Sequence, residues 1–244
     1  MKSIRGYFKM NKGKKIYEGK AKILYETQDP NVLIQYFKDD ATAFNAKKKG
    51  TIQNKGILNN KMSEVLFGYL EKNGVPTHFK ERISEREMVV RKLKIFPVEV
   101  VIRNVVAGSL AKRLGLEEGM KLQKPILEFF YKSDPLDDPM ISETAPIAFG
   151  WMTDSEMETL KKLTWKINDL LVTFFHQRGI QLVDYKLEYG KDASGNMYLA
   201  DEISPDGCRL WEIATGEKLD KDRFRRDLGK IEESYQKVCD LICS

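Results

Sequence analysis

Asp184, Lys186 and Glu188 are spaced by two residues in Leu182-Val183-Asp184-Tyr185-Lys186-Leu187-Glu188-Tyr189-Gly190. In an extended strand alternate side chains share a face, so these three stand in a row as acid, base and acid. Val183, Tyr185, Leu187 and Tyr189 then share the opposite face. Residues 190 to 196 read as a loop and Met197 to Ile203 as a second strand, so a hairpin brings Asp201 near Glu188. Two carboxylates converging from neighbouring strands suit a divalent cation of the Mg²⁺ kind, which takes oxygen ligands and shares them with phosphates. Ser204-Pro205-Asp206-Gly207 breaks the strand in a turn and delivers Arg209 nearby. Alternating charge is also what a strand's solvated face looks like, and the pattern alone leaves that reading open.

Further cationic sites are candidates for phosphate. No GxxxxGK[ST] and no GxGxxG occurs, so neither a P-loop nor a dinucleotide turn is supported. Lys20 and Lys22 follow Gly19 at a hairpin turn, where they can lie over nucleotide phosphates as kinase glycine-rich loops do, or face solvent as hairpin lysines commonly do. Arg103 at a strand end and Gly108-Ser109 at a helix start form a second anion site, with an ordinary helix cap as the alternative. Arg91 and Lys92 can reach the same cleft. His78 and His176 have neither triad nor metal spacing near them, and Trp151, Trp165 and Trp211 read as packing residues.

The elements that must hold these residues can be placed from periodicity. Short strands are expected at Lys15 to Glu18, Ala21 to Tyr25 and Val32 to Phe37, in a small antiparallel sheet. A helix runs from Asn59 to Asn73 and stops at Gly74. Strands follow at Met88 to Lys92 and Val98 to Arg103, separated by Ile95-Phe96-Pro97, and then a short helix, Leu110 to Leu114, with Ser109 at or beside its N-cap. Residues 120 to 150 hold four prolines and one strand, Ile126 to Tyr131, in an otherwise irregular stretch of the kind that serves a site. Thr153-Asp154-Ser155-Glu156 matches a capping box and opens a long core helix that ends at Gly179. A last helix is expected from Asp222 to Cys243.

Composition bounds the classes. The 244 residues can bury a large core in one domain or in two lobes with a cleft. A net charge of +5 attracts anionic small molecules without the footprint of a nucleic-acid binder. Cys208, Cys239 and Cys243 give neither a disulfide framework nor zinc spacing. No apolar run approaches the ~18 residues needed to span a bilayer, and the first residues lack a signal peptide's apolar core. The expectation is a cytoplasmic protein in a reducing compartment with no membrane partner. Residues 1–13 read as an N-terminal extension whose first nine residues, ahead of Met10, are poorly ordered.

Two long runs, Leu182 to Gly190 and Ile95 to Ser109, resemble motifs of the phosphoribosylaminoimidazole-succinocarboxamide synthase (SAICAR synthetase) family of purine biosynthesis. Shorter pieces support the likeness: Gly19 to Lys22, Asn59-Asn60-Lys61, Asp138-Pro139-Met140, Ser204 to Trp211 and Asp220 to Arg225. They stand in family order over nearly everything after Lys14. Cys208 departs from the small hydroxyl residue common at its position, and residues 1–13 extend beyond the usual start.

The resemblance implies an α+β, two-lobed fold related to ATP-grasp, with antiparallel sheets, flanking helices and an interlobe ATP cleft. Residues 14–94 would form a small ATP-binding lobe and 95–244 a larger substrate-binding lobe. It implies ligation of L-aspartate to the carboxylate of carboxyaminoimidazole ribonucleotide, driven by ATP with Mg²⁺ through an acyl phosphate, in a homodimer that takes no nucleic acid. Lys20, Lys22, Lys92 and Glu188 would bind ATP, with Glu188 and Asp201 holding the metal. Arg103, Ser109, Asp138, Asp206 and Arg209 would bind the ribonucleotide, and Lys186 with Asp184 would serve the reacting carboxylate. The alternatives are an inositol or small-molecule kinase of related fold, which has no need of Arg103 with Gly108-Ser109, and a non-catalytic basic module, which has no need of Glu188 with Asp201.

Overall fold

The computed structural model describes residues 10–43 and 48–244. The expectation about residues 1–9 falls outside the described residues. The chain begins with β1 (Lys15–Glu18), β2 (Lys22–Glu26), β3 (Val32–Phe37), β4 (Asp40–Ala43) and β5 (Lys48–Thr51), followed by α1 (Lys55–Lys72). Next come β6 (Phe79–Arg82), β7 (Glu87–Arg91), β8 (Lys94–Val105), α2 (Gly108–Leu114) and β9 (Lys121–Tyr131). A 3₁₀ turn at Asp134–Leu136 leads to β10 (Met140–Ile141), α3 (Ala145–Ala148) and α4 (Asp154–His176). The chain continues through β11 (Ile180–Lys191), β12 (Met197–Ala200), β13 (Cys208–Glu212), α5 (Asp222–Arg225) and α6 (Ile231–Cys243).

Two antiparallel sheets organise the molecule. The first has the order β1-β2-β3-β7-β6 and the second β10-β9-β8-β11-β12, with β13 also on β11. β11 is the axis of the larger sheet. One edge pairs with β8, while β13 covers Ile180 to Tyr185 on the other edge and β12 covers Glu188 to Lys191. Between β12 and β13 the outer edge is bridged by the 201–207 segment, from which Gly207 accepts the Lys186 N–H at 3.1 Å.

Apolar side chains at helical spacing place α4 across this sheet. Met157, Leu160, Ile167, Leu171, Phe174 and Phe175 are buried against Leu182, Tyr185, Leu187 and Tyr189. The capping box forms as expected: Glu156 N donates to Thr153 Oγ1 at 3.2 Å and Thr153 N donates to Glu156 Oε2 at 2.7 Å. Met62, Leu66, Phe67 and Leu70 of α1 join the same core, which also takes Tyr235, Val238 and Ile242 of α6. The 14–94 segment therefore contributes a helix to the core of the larger sheet.

Several expectations need correction. Val183 does not share a face with Tyr185, because an irregularity between Leu182 and Asp184 turns it into a separate cluster with Val105, Ala107 and Trp211. The second hairpin strand ends at Ala200 rather than Ile203, since Asp201 takes the left-handed conformation at φ 66°. β8 runs unbroken from Lys94 through Pro97, and β9 begins at Lys121. The short helix starts at Gly108, with Ala107 as its cap, so Ser109 is its second residue and not its cap. The last helix is two, separated where Asp227, Gly229 and Lys230 all adopt positive φ.

Candidate active site

Pairing across β8, β11 and β13 sets out the charged face. Asp184 lies opposite Arg103 on one side and Arg209 on the other. Four residues further along β11, roughly 13 Å at the rise of a strand, Glu188 lies opposite Glu99. Lys186 stands between these two rows.

In the row around Asp184 every charge is paired. Arg103 donates from Nη1 to Asp184 Oδ2 at 2.8 Å, from Nε to Glu128 Oε2 at 3.0 Å and from Nη2 to Ser109 Oγ at 3.0 Å. Arg209 donates from Nη1 to both Asp184 oxygens, at 3.0 and 2.8 Å, and from Nε to Asp222 Oδ2 at 2.9 Å. Burial disfavours the Arg209 charge, but Asp184 and Asp222 outweigh it and raise its pKa. Asp222 is also disfavoured by burial, yet Arg209 and Arg225 hold its carboxyl down at about 2. Gly108 completes the row: a Cβ there would sit 2.3 Å from Arg209 Nη2. Two guanidiniums oriented by one carboxylate, beside a serine hydroxyl, form a cradle for an anion.

The second row is a cluster of alternating charge. Lys186 Nζ donates to Glu99 Oε1 and Glu188 Oε1, each at 2.7 Å, and lies 3.6 Å from Asp201 Oδ2. Lys132 donates to Glu188 Oε2, and Lys22, at the start of β2, donates to Asp201 Oδ1 while lying 3.2 Å from Glu202 Oε1. Burial pulls the Lys186 pKa down, but Glu188 and Glu99 reverse that and leave it raised. Burial likewise pushes the Glu188 carboxyl up, and Lys186 with Lys132 more than offsets it, so its pKa is lowered. For Lys22 burial prevails over Glu202 and Glu188, and its pKa is lowered. The expected convergence of Glu188, Asp201, Lys22 and Lys186 is therefore present, at the junction of the two sheets.

The donor chemistry fits Mg²⁺. Among the described residues no group of three or more His, Cys, Asp and Glu is arranged to hold a metal ion by itself, but Glu188 and Asp201, both lying against the Lys186 ammonium, form a pair of carboxylates. Such a pair, with the remaining ligands from phosphate and water, is a usual way to hold Mg²⁺.

Other expected residues lie further out. Lys20 reaches across to Asp134 at 2.6 Å, linking the hairpin turn to the loop after β9. Asp138, at φ 47°, accepts the Ser133 N–H at 2.8 Å and shapes that loop, which also carries Lys132. Asp206 is sealed: Lys55 Nζ donates to its Oδ2 at 2.5 Å and Tyr235 OH to its Oδ1 at 2.7 Å, and the charge of Lys221, with these two, keeps its pKa low despite burial. Lys92 is exposed beyond β7, and its N–H donates to Asn31 O at 2.8 Å. That is the opposite end of β3 from Phe37, the partner of Lys22, so the structure does not bring Lys92 to Lys22. The family motif residue Asn60 is a tether, donating to the carbonyls of Ser84 and Glu85 at 3.1 and 2.9 Å.

Lys55, Glu99, Glu128, Lys132, Glu202, Asp222 and Tyr235 were not singled out from sequence. Glu99 alternates with apolar residues in β8, as Glu188 does in β11, and that period was the available signal. His78 sits between the sheets: its N–H donates to Leu199 O at 2.8 Å and its carbonyl accepts Arg91 N–H at 2.7 Å. Burial, and secondarily Lys22, hold this imidazole neutral with its pKa at about 3.

A sequence profile of the SAICAR synthetase family matches residues 15–242. The chain belongs to the SAICAR synthetase family. The phosphoribosylaminoimidazole-succinocarboxamide synthase of Magnetococcus marinus is 59% identical over 231 residues, covering 94% of this chain and 96% of that one. The enzyme of the same name from Desulfitobacterium hafniense strain Y51 is 56% identical over 229 residues, with the same two coverages. Among solved structures, the Ehrlichia chaffeensis phosphoribosylaminoimidazole-succinocarboxamide synthase superposes with a TM-score of 0.92 at 49% identity, covering 94% of this chain and 98% of that one. A SAICAR synthetase in complex with ADP superposes with a TM-score of 0.90 at 46% identity, covering 93% of this chain and 96% of that one. This member of the SAICAR synthetase family is accordingly an ATP-dependent carbon–nitrogen ligase of purine biosynthesis. Nothing in these likenesses favours the kinase alternative.

Proposed function

We propose that the junction beside Lys186 takes ATP with Mg²⁺, and that the Arg103–Asp184–Arg209 row takes carboxyaminoimidazole ribonucleotide, to whose carboxylate L-aspartate is joined. The observation that carries this reading is the convergence of Lys22, Lys186, Glu188 and Asp201, next to two guanidiniums held by one carboxylate. Lys20 and Lys22 contact the nucleotide phosphates. Glu188 and Asp201 hold Mg²⁺, which when bound neutralises charge on the phosphates.

An amine does not displace oxide from a carboxylate anion, so the carboxylate must first be activated. A carboxylate oxygen attacks the γ-phosphorus of ATP, the bond to the β-γ bridging oxygen breaks, and ADP leaves. The aspartate amine then attacks the acyl carbon, the C–O bond to phosphate breaks, and inorganic phosphate departs as the amide forms. Lys186 Nζ, already poised between acidic groups, places positive charge at the reacting carboxylate. Arg103 and Arg209 hold the ribonucleotide, its phosphate toward Arg103 and Ser109. Asp184 orients both guanidiniums, Asp206 orients Lys55 and Tyr235, and Asp138 shapes the loop that presents Lys132. Residues 14–94 supply the nucleotide side of the cleft and 95–244 the substrate side.

The reading includes a homodimer in the cytoplasm, the first of which sedimentation of the purified protein checks. Its enzymatic test is ADP release with single omissions: sustained release should need ATP, Mg²⁺, the carboxylated ribonucleotide and L-aspartate together. Equal release without aspartate would overturn it.

A further inference from the structure

Cys239 and Cys243 stand one turn apart on α6 with their sulfurs 3.8 Å apart. Cys239 is fully buried against the core, whereas Cys243, the last residue of α6, is partly open to solvent. The third thiol, Cys208, is buried on β13, far along the chain. Residues four apart on a helix have Cα atoms about 6.2 Å apart, inside the range of roughly 4.4 to 6.8 Å that a disulfide accepts. Closing the sulfurs to bonding distance needs a movement of about 1.8 Å, and a helix's last turn can unwind to supply it because its carbonyls lack intrahelical partners.

We propose that Cys239 and Cys243 form a redox-modification site, in which Cys243 reacts with a hydroperoxide and Cys239 resolves the product to an intrahelical disulfide. The Cys243 thiolate attacks the terminal peroxide oxygen, the O–O bond breaks and the alkoxide leaves, or hydroxide when the oxidant is hydrogen peroxide, giving a sulfenic acid. The Cys239 sulfur then attacks the Cys243 sulfur, the S–O bond breaks, and water departs with the Cys239 proton. The two sulfurs together lose two electrons to the peroxide. The surroundings agree with this division of roles. The hydrogen bond from Cys239, aided by the Lys61 ammonium on α1, holds the Cys243 thiol down to about 7, while partial burial and then Glu64 and Asp240 act in the opposite sense. Burial pushes the Cys208 thiol up, which makes it an internal control.

The test is peroxide treatment of the reduced, full-length protein at neutral pH, followed by peptide mass analysis. The peptide that begins at Val238 contains both cysteines and excludes Cys208. It should lose two hydrogens in mass and regain them with dithiothreitol. Cys239→Ser should stop at a sulfenic acid on Cys243, trapped by dimedone. Cys243→Ser should leave this peptide unoxidised or slow its oxidation at least about tenfold. Circular dichroism of both variants should match that of the unaltered protein. Dimedone trapping in the unaltered protein equal to that in Cys239→Ser would overturn the proposal, as would oxidation of Cys208 before Cys243.

Discussion

Glu99 and Glu188 stand directly opposite each other across β8 and β11. Like charges so placed destabilise a sheet, and Lys186 offsets the repulsion with an ammonium 2.7 Å from each. Lys186→Met should therefore cost about 1 to 3 kcal/mol in urea unfolding, below the ~3–5 of a fully buried broken pair because this side chain is part-exposed. Its maximal rate should fall at least about a hundredfold. Glu188→Gln leaves the Lys186–Glu99 pair in place but removes the buried carboxylate that Lys186 and Lys132 share, so stability should fall by about 1 to 3 kcal/mol while the rate falls on the order of 10²–10³-fold. Near-normal turnover of Glu188→Gln would remove this carboxylate from the reaction.

Gly108 has a positive φ of 53°, and the Arg209 guanidinium occupies the space a Cβ would need. Gly108→Ala should displace Arg209 and raise KM for the ribonucleotide about tenfold, with a stability loss of about 1 kcal/mol. Titration of initial rates against ribonucleotide at saturating ATP reads this. An unchanged KM would mean that Arg209 does not face the ribonucleotide.

Lys55 is fully buried and is paired with Asp206. Asp206→Asn should cost about 3–5 kcal/mol, since it leaves the fully buried Lys55 ammonium without its ion pair, and Lys55→Met should cost less, since Asp206 keeps Tyr235 and Lys221. The double variant should cost clearly less than the two losses added. Strict additivity in chemical denaturation would show that the pair is not coupled.

His78 bears on acid stability. Its folded pKa of about 3 lies below the ordinary 6.5, so between those values the unfolded chain takes up a proton that the folded chain refuses. Stability is thus complete above about pH 6.5 and falls as pH drops toward 3, by roughly 2 kcal/mol at pH 5. His78→Phe should flatten that part of the profile when Tm is followed from pH 7 to pH 5. A profile as steep as that of the unaltered protein would assign the acid sensitivity to other groups.

Much of the site was legible because strand and helix periods are local. The two-residue period put Asp184, Lys186 and Glu188 on one face, and four residues fixed the start of α4 through its capping box. What escaped depends on single backbone conformations or distant contacts. The irregularity that reorients Val183 leaves no pattern, and the left-handed Asp201 ends β12 inside an otherwise strand-like run. The apolar spacing through Phe224 and Leu228 ran over a real break, although Gly229 was there to mark it. Lys55 and Asp206 are separated by 151 residues, and a lysine at a helix start reads as a surface group until its partner is placed.

The central claim is that the ribonucleotide carboxylate is activated by phosphoryl transfer beside Lys186. One turnover with ¹⁸O in both oxygens of that carboxylate, followed by measurement of the mass of the released inorganic phosphate, tests it most directly. The account predicts that each phosphate carries one labelled oxygen, taken from the carboxylate when the acyl C–O bond breaks. Unlabelled phosphate, with the displaced carboxylate oxygen appearing in water instead, would contradict it.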